Sequence, residues 1–143
     1  MEKKIMDVVG TMFFREGKLL IDKPRKRSTF QMIGGKVEVG ESIKDAAYRE
    51  CVEELGNNVI LDLNKFVFVM DFIEIATSDP NLKIHMHVFK YNDDIKGELL
   101  TSDEIQSFMW FGIDDDYNLL SNTLKNEVVP YAIKKNLIYV NTK

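Results

Sequence analysis

The chain has few of the features that mark secreted, membrane-bound or disulfide-linked proteins. Cys51 is the sole cysteine among 143 residues, so no intrachain disulfide can form, which is compatible with a reducing cytosol. Nowhere do about 18 apolar residues follow one another, as a membrane-spanning helix requires. The N-terminal Met1-Glu2-Lys3-Lys4 leads into only a short apolar stretch, which Asp7 interrupts. We therefore expect a cytoplasmic protein that does not enter a membrane.

Positive charge is also scarce. The chain has 19 Lys and Arg against 23 Asp and Glu, a formal net charge of −4. This balance argues against a protein that holds long nucleic acid mainly by neutralising phosphates. A local basic group, Lys23, Arg25, Lys26 and Arg27, precedes the pair Gly34-Gly35. It is either a solvated turn or a clamp for the phosphates of a single nucleotide.

The composition is that of an ordinary globular domain, with 45% hydrophobic and 29% charged residues. The sequence contains no internal repeat, no low-complexity tract and no linker rich in Pro, Gly or Ser. We predict one domain over residues 1–143, either a monomer or a homodimer.

Two hairpins are predicted from apolar runs and turn residues. Residues 6–14 and 18–21 flank a short glycine turn, and residues 66–76 and 82–91 flank the strong turn signal Thr77-Ser78-Asp79-Pro80-Asn81. Another short strand is expected at 108–111. These strands, interspersed with helical segments, indicate a mixed α/β domain, in which helices cover both faces of a sheet.

Two segments have helical composition. In the first, Ser42 is suited to cap a helix over Ile43–Leu55 that Gly56 ends. In the second, residues 122–135, Pro130 should kink the helix or start a new one.

The first helix concentrates carboxylates. At about 100° per residue, Glu50, Glu53 and Glu54 fall within an arc of roughly 100°, beside an apolar face. Two such carboxylates about 5 Å apart repel by roughly 3 kcal/mol at an effective dielectric of 20. A hard divalent cation such as Mg²⁺ would relieve this repulsion. The alternative is an exposed helix surface whose glutamates are balanced by Arg49 and Lys44.

The spacing of residues 35–56 resembles the Nudix box. The pattern is Gly, five residues, Glu, seven residues, Arg-Glu, an apolar residue, any residue, Glu-Glu, any residue and Gly. The matching positions are Gly35, Glu41, Arg49, Glu50, Glu53, Glu54 and Gly56. Asn57 departs from the aliphatic residue that follows in the family. The resemblance implies an α/β/α sandwich with a mixed sheet and the box as a loop, helix and loop.

The resemblance also implies a metal site. Glu50, Glu53 and Glu54 are expected to coordinate Mg²⁺, with Mn²⁺ as a substitute and the carbonyl of Gly34 or Gly35 as a further ligand. Glu53 is our first candidate to orient or deprotonate the attacking water.

Several further residues receive roles by the same resemblance. Arg49 should orient Glu53 through charge-assisted hydrogen bonds, and Glu41 should tie the loop to the helix. Lys36 should contact a phosphate. Ser102-Asp103-Glu104 resembles a loop that supplies another metal carboxylate in the oxidised-purine branch of the family, so Glu104 is a candidate ligand, with Glu98 in reserve. The alternative is a solvated loop without a role in metal binding.

The substrate implied is a small nucleotide. The leading hypothesis is a nucleoside triphosphate pyrophosphohydrolase that releases nucleoside monophosphate and pyrophosphate. Phe30 and Gln31 resemble base-facing residues of the branch that hydrolyses 8-oxo-dGTP, and Trp110 is a further candidate for the pocket. Arg25 and Arg27 are candidates for the phosphates. That branch also has a tryptophan and paired aspartates before its last helix, where this chain has residues 123–126.

Two other functions stay open. The first is hydrolysis of ADP-ribose, a nucleotide sugar or a dinucleoside polyphosphate, although the ADP-ribose branch has a proline where this chain has residues 72–74. The second is nucleotide sensing without turnover, but such modules usually lose the box glutamates that are present here.

His85 and His87 would face one side of a strand. Their spacing suits a metal, but no further His or suitable Cys is evident in the sequence, and an ordinary strand surface is the simpler interpretation.

Overall fold

The computed structural model describes residues 4–76 and 79–142, which form nine strands and two α-helices. The strands are β1 (Lys4–Met12), β2 (Phe14–Arg15), β3 (Lys18–Pro24), β4 (Ile33–Lys36), β5 (Val59–Ile60), β6 (Phe66–Ile75), β7 (Leu82–Tyr91), β8 (Lys96–Gly97) and β9 (Ile105–Phe111). The helices are α1 (Ile43–Leu55) and α2 (Val129–Lys134), and a π-helical turn (Leu124–Val128) precedes α2. Within these ranges no helix is long and apolar enough to span a membrane.

The central sheet is mixed and has the strand order β4-β1-β7-β6. Strand β1 is parallel to β7 on one side and antiparallel to β4 on the other. A second sheet has the order β2-β3-β9, and β5 pairs with β8. Because β1 is an inner strand, both neighbours fix its register.

Helices pack on both faces of the central sheet. The buried side of α1 consists of Ala46, Ala47, Cys51 and Leu55, and it packs on one face. The C-terminal helical segment packs on the other face through Leu124, Val128, Val129 and Ala132. The α/β/α sandwich expected from the sequence is thus confirmed.

Local sequence signals explain the limits of α1. The Ser42 Oγ accepts a hydrogen bond from the Asp45 N–H at 3.1 Å, and Gly56 ends the helix with φ of 96°. The predicted bounds are confirmed.

Burial raises the pKa of the Cys51 thiol, which therefore behaves as a core group and not as a nucleophile.

The hairpin predictions are confirmed with one change. Strand β1 ends at Met12, and the glycine turn instead joins β2 to β3, with Glu16 and Gly17 at φ of 52° and 78°. Buried Phe13 separates the two sheets. The second hairpin, β6–β7, pairs as expected. In its turn, Thr77 and Ser78 lie outside the described residues.

Pro130 acts as a helix start. It is the second residue of α2, where its missing N–H costs no helical hydrogen bond. The preceding turn is π-helical, since the Val129 N–H donates to the Leu124 carbonyl. The strand predicted at 108–111 begins earlier, at Ile105.

Strand β4, which the apolar pattern did not predict, carries two glycines between β1 and α1. A methyl group on Gly34 would overlap the backbone carbonyl of Val9. One on Gly35 would lie 2.5 Å from the carboxyl carbon of Glu50. These glycines allow the backbone of β4 to approach both neighbours closely.

A fully buried carboxyl group lies beside α1. Asp22 on β3 is 0% exposed, and within the described residues its oxygens accept no hydrogen bond from an amide, amine or hydroxyl. It faces the carboxyl of Glu54. Burial raises the pKa of Asp22 to about 7, and the adjacent Glu54 carboxyl partly offsets this change.

We expect Gly34→Ala to lower the free energy of unfolding by about 2–3 kcal/mol, because the added methyl meets a backbone atom that cannot move away. Gly35→Ala is the matched control, since its methyl meets the mobile end of the Glu50 side chain. Urea unfolding of the two variants checks this prediction. Equal losses of stability in both would contradict it.

The buried Asp22 predicts a pH dependence of stability. The folded chain keeps a proton up to about pH 7 that the unfolded chain releases above about pH 4. In the presence of a chelator, the free energy of unfolding should therefore fall as pH rises from about 4 to about 7. Asp22→Asn should show a shallower dependence in urea unfolding, and identical slopes would refute the assignment.

Candidate active site

Arg49 organises the loop and the helix. Its Nε and Nη2 donate to the two carboxylate oxygens of Glu41 at 2.7 and 3.0 Å, and Nη2 also donates to the Lys36 carbonyl at 3.0 Å. Its Nη1 donates to Glu50 at 2.9 Å and to Glu53 at 3.3 Å. This bidentate pair lowers the pKa of Glu41 and raises that of Arg49. The expected contacts of Arg49 with Glu53 and of Glu41 between loop and helix are both present.

Glu50 and Glu54 point from α1 towards the glycines of β4. The Glu54 Oε2 accepts a hydrogen bond from the Gly34 N–H at 2.6 Å, and the Glu50 carboxyl lies against Gly35. Burial raises the pKa of both carboxyls. For Glu54 the neighbouring Asp22 acts in the same direction.

Glu53 has a different environment. Its side chain is 57% exposed, whereas that of Glu50 is 15% exposed. Within the described residues, the carboxylate oxygens of the three glutamates do not all lie within 4.8 Å of one another. Binding one cation through all three would therefore require the exposed Glu53 side chain to rotate.

The composition of the site fits a divalent cation. All the side-chain donors are carboxylate oxygens, which are the ligands that Mg²⁺ and Mn²⁺ prefer. Asp22 and Glu54 form a buried carboxyl pair that lacks a positively charged partner among the described residues. A cation held by Glu50, Glu54 and a backbone carbonyl of Gly34 or Gly35 would supply that partner.

A cavity of about 300 Å³ opens beside these residues. Gly34, Gly35 and Glu54 form one end of it. Its apolar wall comes from β1, the end of β3, β7 and the loop before β4, and consists of Met6, Val8, Val9, Pro24, Met32, Ile84 and Met86. Its other polar residues are Arg27, Gln31, Glu74, Ser121 and Thr123. A neighbouring cavity of about 560 Å³ shares Arg27, Gln31 and Glu74 with it.

The predicted substrate residues divide into two groups. Gln31 and Arg27 line the cavity. Phe30 packs in the core beneath the C-terminal helical segment. Trp110 lies on the α1 side of the structure under the Arg15 guanidinium, 4.7 Å from the ring centre. Phe30 and Trp110 do not line this cavity, and their role in substrate binding stays a prediction.

The remaining predicted residues lie at the edge of the site. Lys36 is exposed at the end of β4. The Arg25 side chain donates from Nε to the Ser102 carbonyl. The backbone N–H of Arg25 donates to the Glu104 carbonyl at 2.8 Å. Among the described residues, Glu104 makes no hydrogen bond or ion pair with the glutamates of α1. The reserve candidate, Glu98, is exposed next to the short strand β8.

Sequence reasoning missed three residues of the site. Asp22 appeared as an ordinary polar residue in a strand, and only its pairing with the loop before β4 places it beside Glu54. The Thr123 hydroxyl donates a hydrogen bond to the Glu74 carboxylate at the cavity wall. The one sequence signal for Thr123 was that this chain lacks the family's tryptophan and aspartates near this position.

Comparisons with known proteins agree with this arrangement. Residues 4–130 match the family model described as the NUDIX domain. An uncharacterized Nudix hydrolase of Bacillus subtilis strain 168, YvcI, is 35% identical over 101 residues. That match covers 71% of this chain and 61% of the relative, so the chain spans about three fifths of the length of this relative.

Solved structures share the fold. A MutT Nudix hydrolase from Burkholderia pseudomallei has a TM-score of 0.71 at 22% identity, covering 85% of this chain and 93% of that one. A bifunctional NMN adenylyltransferase/ADP ribose pyrophosphatase from Francisella tularensis, in complex with AMP and a manganese ion, has a TM-score of 0.67 at 14% identity, covering 94% and 42%. The residue pattern, the α/β/α sandwich and the family match together show that the chain belongs to the Nudix hydrolase family.

Proposed function

We propose that the protein is a Mg²⁺-dependent nucleoside triphosphate pyrophosphohydrolase that releases nucleoside monophosphate and pyrophosphate. The observation that carries this proposal is the cavity that ends at Gly34, Gly35 and Glu54. A nucleoside in the apolar part of the cavity would have its phosphates at the carboxylate-rich end. Polyanionic phosphates can bind there only with cations between them and the glutamates.

Glu50 and Glu54 would hold the cation, and Mn²⁺ is a substitute with similar ligand preferences. When bound, a divalent cation neutralises phosphate charge and lowers the pKa of coordinated water. Glu54, whose pKa burial raises, would have to be deprotonated on binding, because a metal ligand must be deprotonated.

Glu53 is the carboxylate we assign to the attacking water. Its side chain is exposed, and the Arg49 guanidinium restrains it through Nη1. The bidentate contact of Arg49 is with Glu41, so the Glu53 carboxylate keeps its negative charge. The water would attack phosphorus directly, because the site contains no activated Ser, Cys or His nucleophile among its described residues.

Gln31 is our candidate for base recognition. Its Nε2 donates to the Thr29 Oγ1 at 3.0 Å, which orients the amide at the cavity wall. An oriented amide can both donate to and accept from the edge of a purine. With Phe30 and Trp110 away from the cavity, the flexible Met32 and Met86 are the residues that would contact the faces of the base. We extend the proposal to oxidised purines such as 8-oxo-dGTP, whose altered edge Gln31 would distinguish.

Hydrolysis of ADP-ribose is the second candidate. One of the similar folds belongs to an ADP ribose pyrophosphatase, and the adjacent cavity of about 560 Å³ offers room for a second sugar. A nucleotide panel separates the two candidates.

We expect Glu53→Gln to lower kcat by about 10²-fold or more with little change in stability, because the exposed side chain contributes little to packing. Steady-state kinetics, in parallel with thermal unfolding, measure the two effects. Glu127→Gln, which changes an exposed carboxylate on the C-terminal segment, is the matched control. Full activity of wild-type protein in excess chelator, or an undiminished rate in folded Glu53→Gln, would reject this chemistry.

Comparison of 8-oxo-dGTP, dGTP, dATP, dCTP, dUTP and ADP-ribose should show the highest kcat/KM for a purine triphosphate. The reason is hydrogen bonding of the base edge by Gln31, so Gln31→Ala should flatten the profile. Mass spectrometry in heavy-oxygen water should find label in a product. A pyrimidine preferred over every purine would reject the purine pocket, and a preference for ADP-ribose would support the second candidate.

A further inference from the structure

Two histidines and two aspartates meet on the face of the central sheet on which α1 packs, opposite the strand residues Met6, Val8, Ile84 and Met86 of the cavity wall. Alternate residues of a strand point to opposite faces. In β1, Val8 packs with the core of the C-terminal helical segment and Val9 packs with the core of α1, so Asp7 points to the α1 face, as Val9 does. In β7, His85 and His87 likewise alternate with Ile84 and Met86, which line the cavity. The cluster is therefore separate from the nucleotide site.

The strand register brings the four residues together. Asp7 pairs with His85 across the parallel strands β1 and β7, and Asp71 on β6 pairs with His87. The Asp7 Oδ1 lies 2.9 Å from the His87 Nε2 and 3.5 Å from the His85 Nδ1. One oxygen and two ring nitrogens, one from each residue, lie within 4.8 Å of one another.

These distances suit a transition-metal ion. Ligand bonds of about 2.1 Å at tetrahedral angles separate the ligand atoms by about 3.4 Å. The two measured distances, 2.9 and 3.5 Å, bracket this separation. Small side-chain rotations would complete the geometry.

Asp71 prepares His85 for such a ligand role. The His85 Nε2 lies 2.6 Å from the Asp71 Oδ2. A carboxylate only accepts, so the hydrogen is on Nε2, and in the neutral ring the Nδ1 lone pair faces Asp7. Metal-binding histidines commonly donate their other ring N–H to a carboxylate in this way, which fixes the tautomer and the ring orientation.

We propose that Asp7, His85 and His87 bind a transition-metal ion of the zinc class, with Asp71 as the positioning residue for His85. Imidazole nitrogens favour zinc over magnesium, so the site differs chemically from the carboxylates of α1. On binding, the metal replaces the hydrogen between the His87 Nε2 and Asp7, and the neutral ring carries its hydrogen on Nδ1. Three protein ligands leave one position for water.

The surroundings of the cluster support binding. The His87 side chain is 9% exposed, while those of His85 and Asp7 are 27% and 52% exposed. His87 is thus held by packing, while Asp7 is accessible to ions from solvent. The ion would link β1 to β7, whose opposite faces form the cavity wall.

Zinc titration by calorimetry, in millimolar magnesium to saturate the α1 carboxylates, tests the proposal. We expect one tight zinc equivalent whose Kd rises at least 100-fold in His87→Ala and about 10-fold in Asp71→Asn. Glu54→Gln, which changes the carboxyl that contacts Gly34 of β4, is the control and should leave this Kd unchanged. Cobalt should give the intense visible absorption of a four- or five-coordinate ion, and His85→Ala should abolish it.

Two results would overturn the proposal. The first is tight zinc binding that is lost in Glu54→Gln and retained in His87→Ala, which would place the ion in the α1 site. The second is the absence of tight binding in wild-type protein. If His87→Ala fails to fold, as judged by circular dichroism, the half-exposed Asp7→Asn provides the same test, and an unchanged Kd there would refute the site. Because the readout is metal affinity, failure here is distinct from failure of the nucleotide hydrolysis.

Discussion

The close approach of the β4 backbone to β1 and α1 is the constraint on which the rest of the site depends. No side chain separates Gly34 from β1 or Gly35 from the Glu50 carboxyl. The Glu54 carboxyl can therefore reach a backbone N–H of the strand, while Arg49 reaches the carbonyl of Lys36. A single glycine pair thus fixes helix, strand and loop in one relative position.

This close packing concentrates negative charge where water is largely excluded. Asp22, Glu50 and Glu54 have raised pKa values because burial disfavours their charged forms, and the guanidinium of Arg49 mainly serves Glu41. A fold optimised only for stability would not bury carboxyl groups beside one another. Their arrangement is understandable as the requirement of a cation, and it is the place where the local rules of stable packing are broken.

The helix and its carboxylates could be predicted because their signals are local. Ser42, Gly56 and the spacing of the glutamates lie within one short segment, and the bounds of α1 followed directly. Similarly, the second hairpin followed from two apolar runs and a turn. Even the role of Glu41 was accessible, because only eight positions separate it from Arg49.

Features that depend on pairing between distant segments could not be predicted. Asp22 lies beside Glu54 only because β3 bridges to Gln31, and Asp7 meets His87 only through a parallel pairing with β7. Likewise, the position of Trp110, a candidate for the substrate pocket, under the Arg15 guanidinium follows from the register of its strand. Register decides the face on which each side chain lies, and an isolated strand sequence does not specify its partner.

The parallel pairing of β1 with β7 has a consequence for how the chain reaches this structure. Strand β4 is close to β1 along the chain, but about 70 residues separate the end of β1 from the start of β7. If β1 pairs with β4 during synthesis, its other edge stays unpaired until β7 emerges from the ribosome, and closing so long a loop is slow. The polar residues Asp7 and Thr11 on β1 would then make this unpaired edge less prone to aggregate with other nascent chains than a continuous run of Val and Ile.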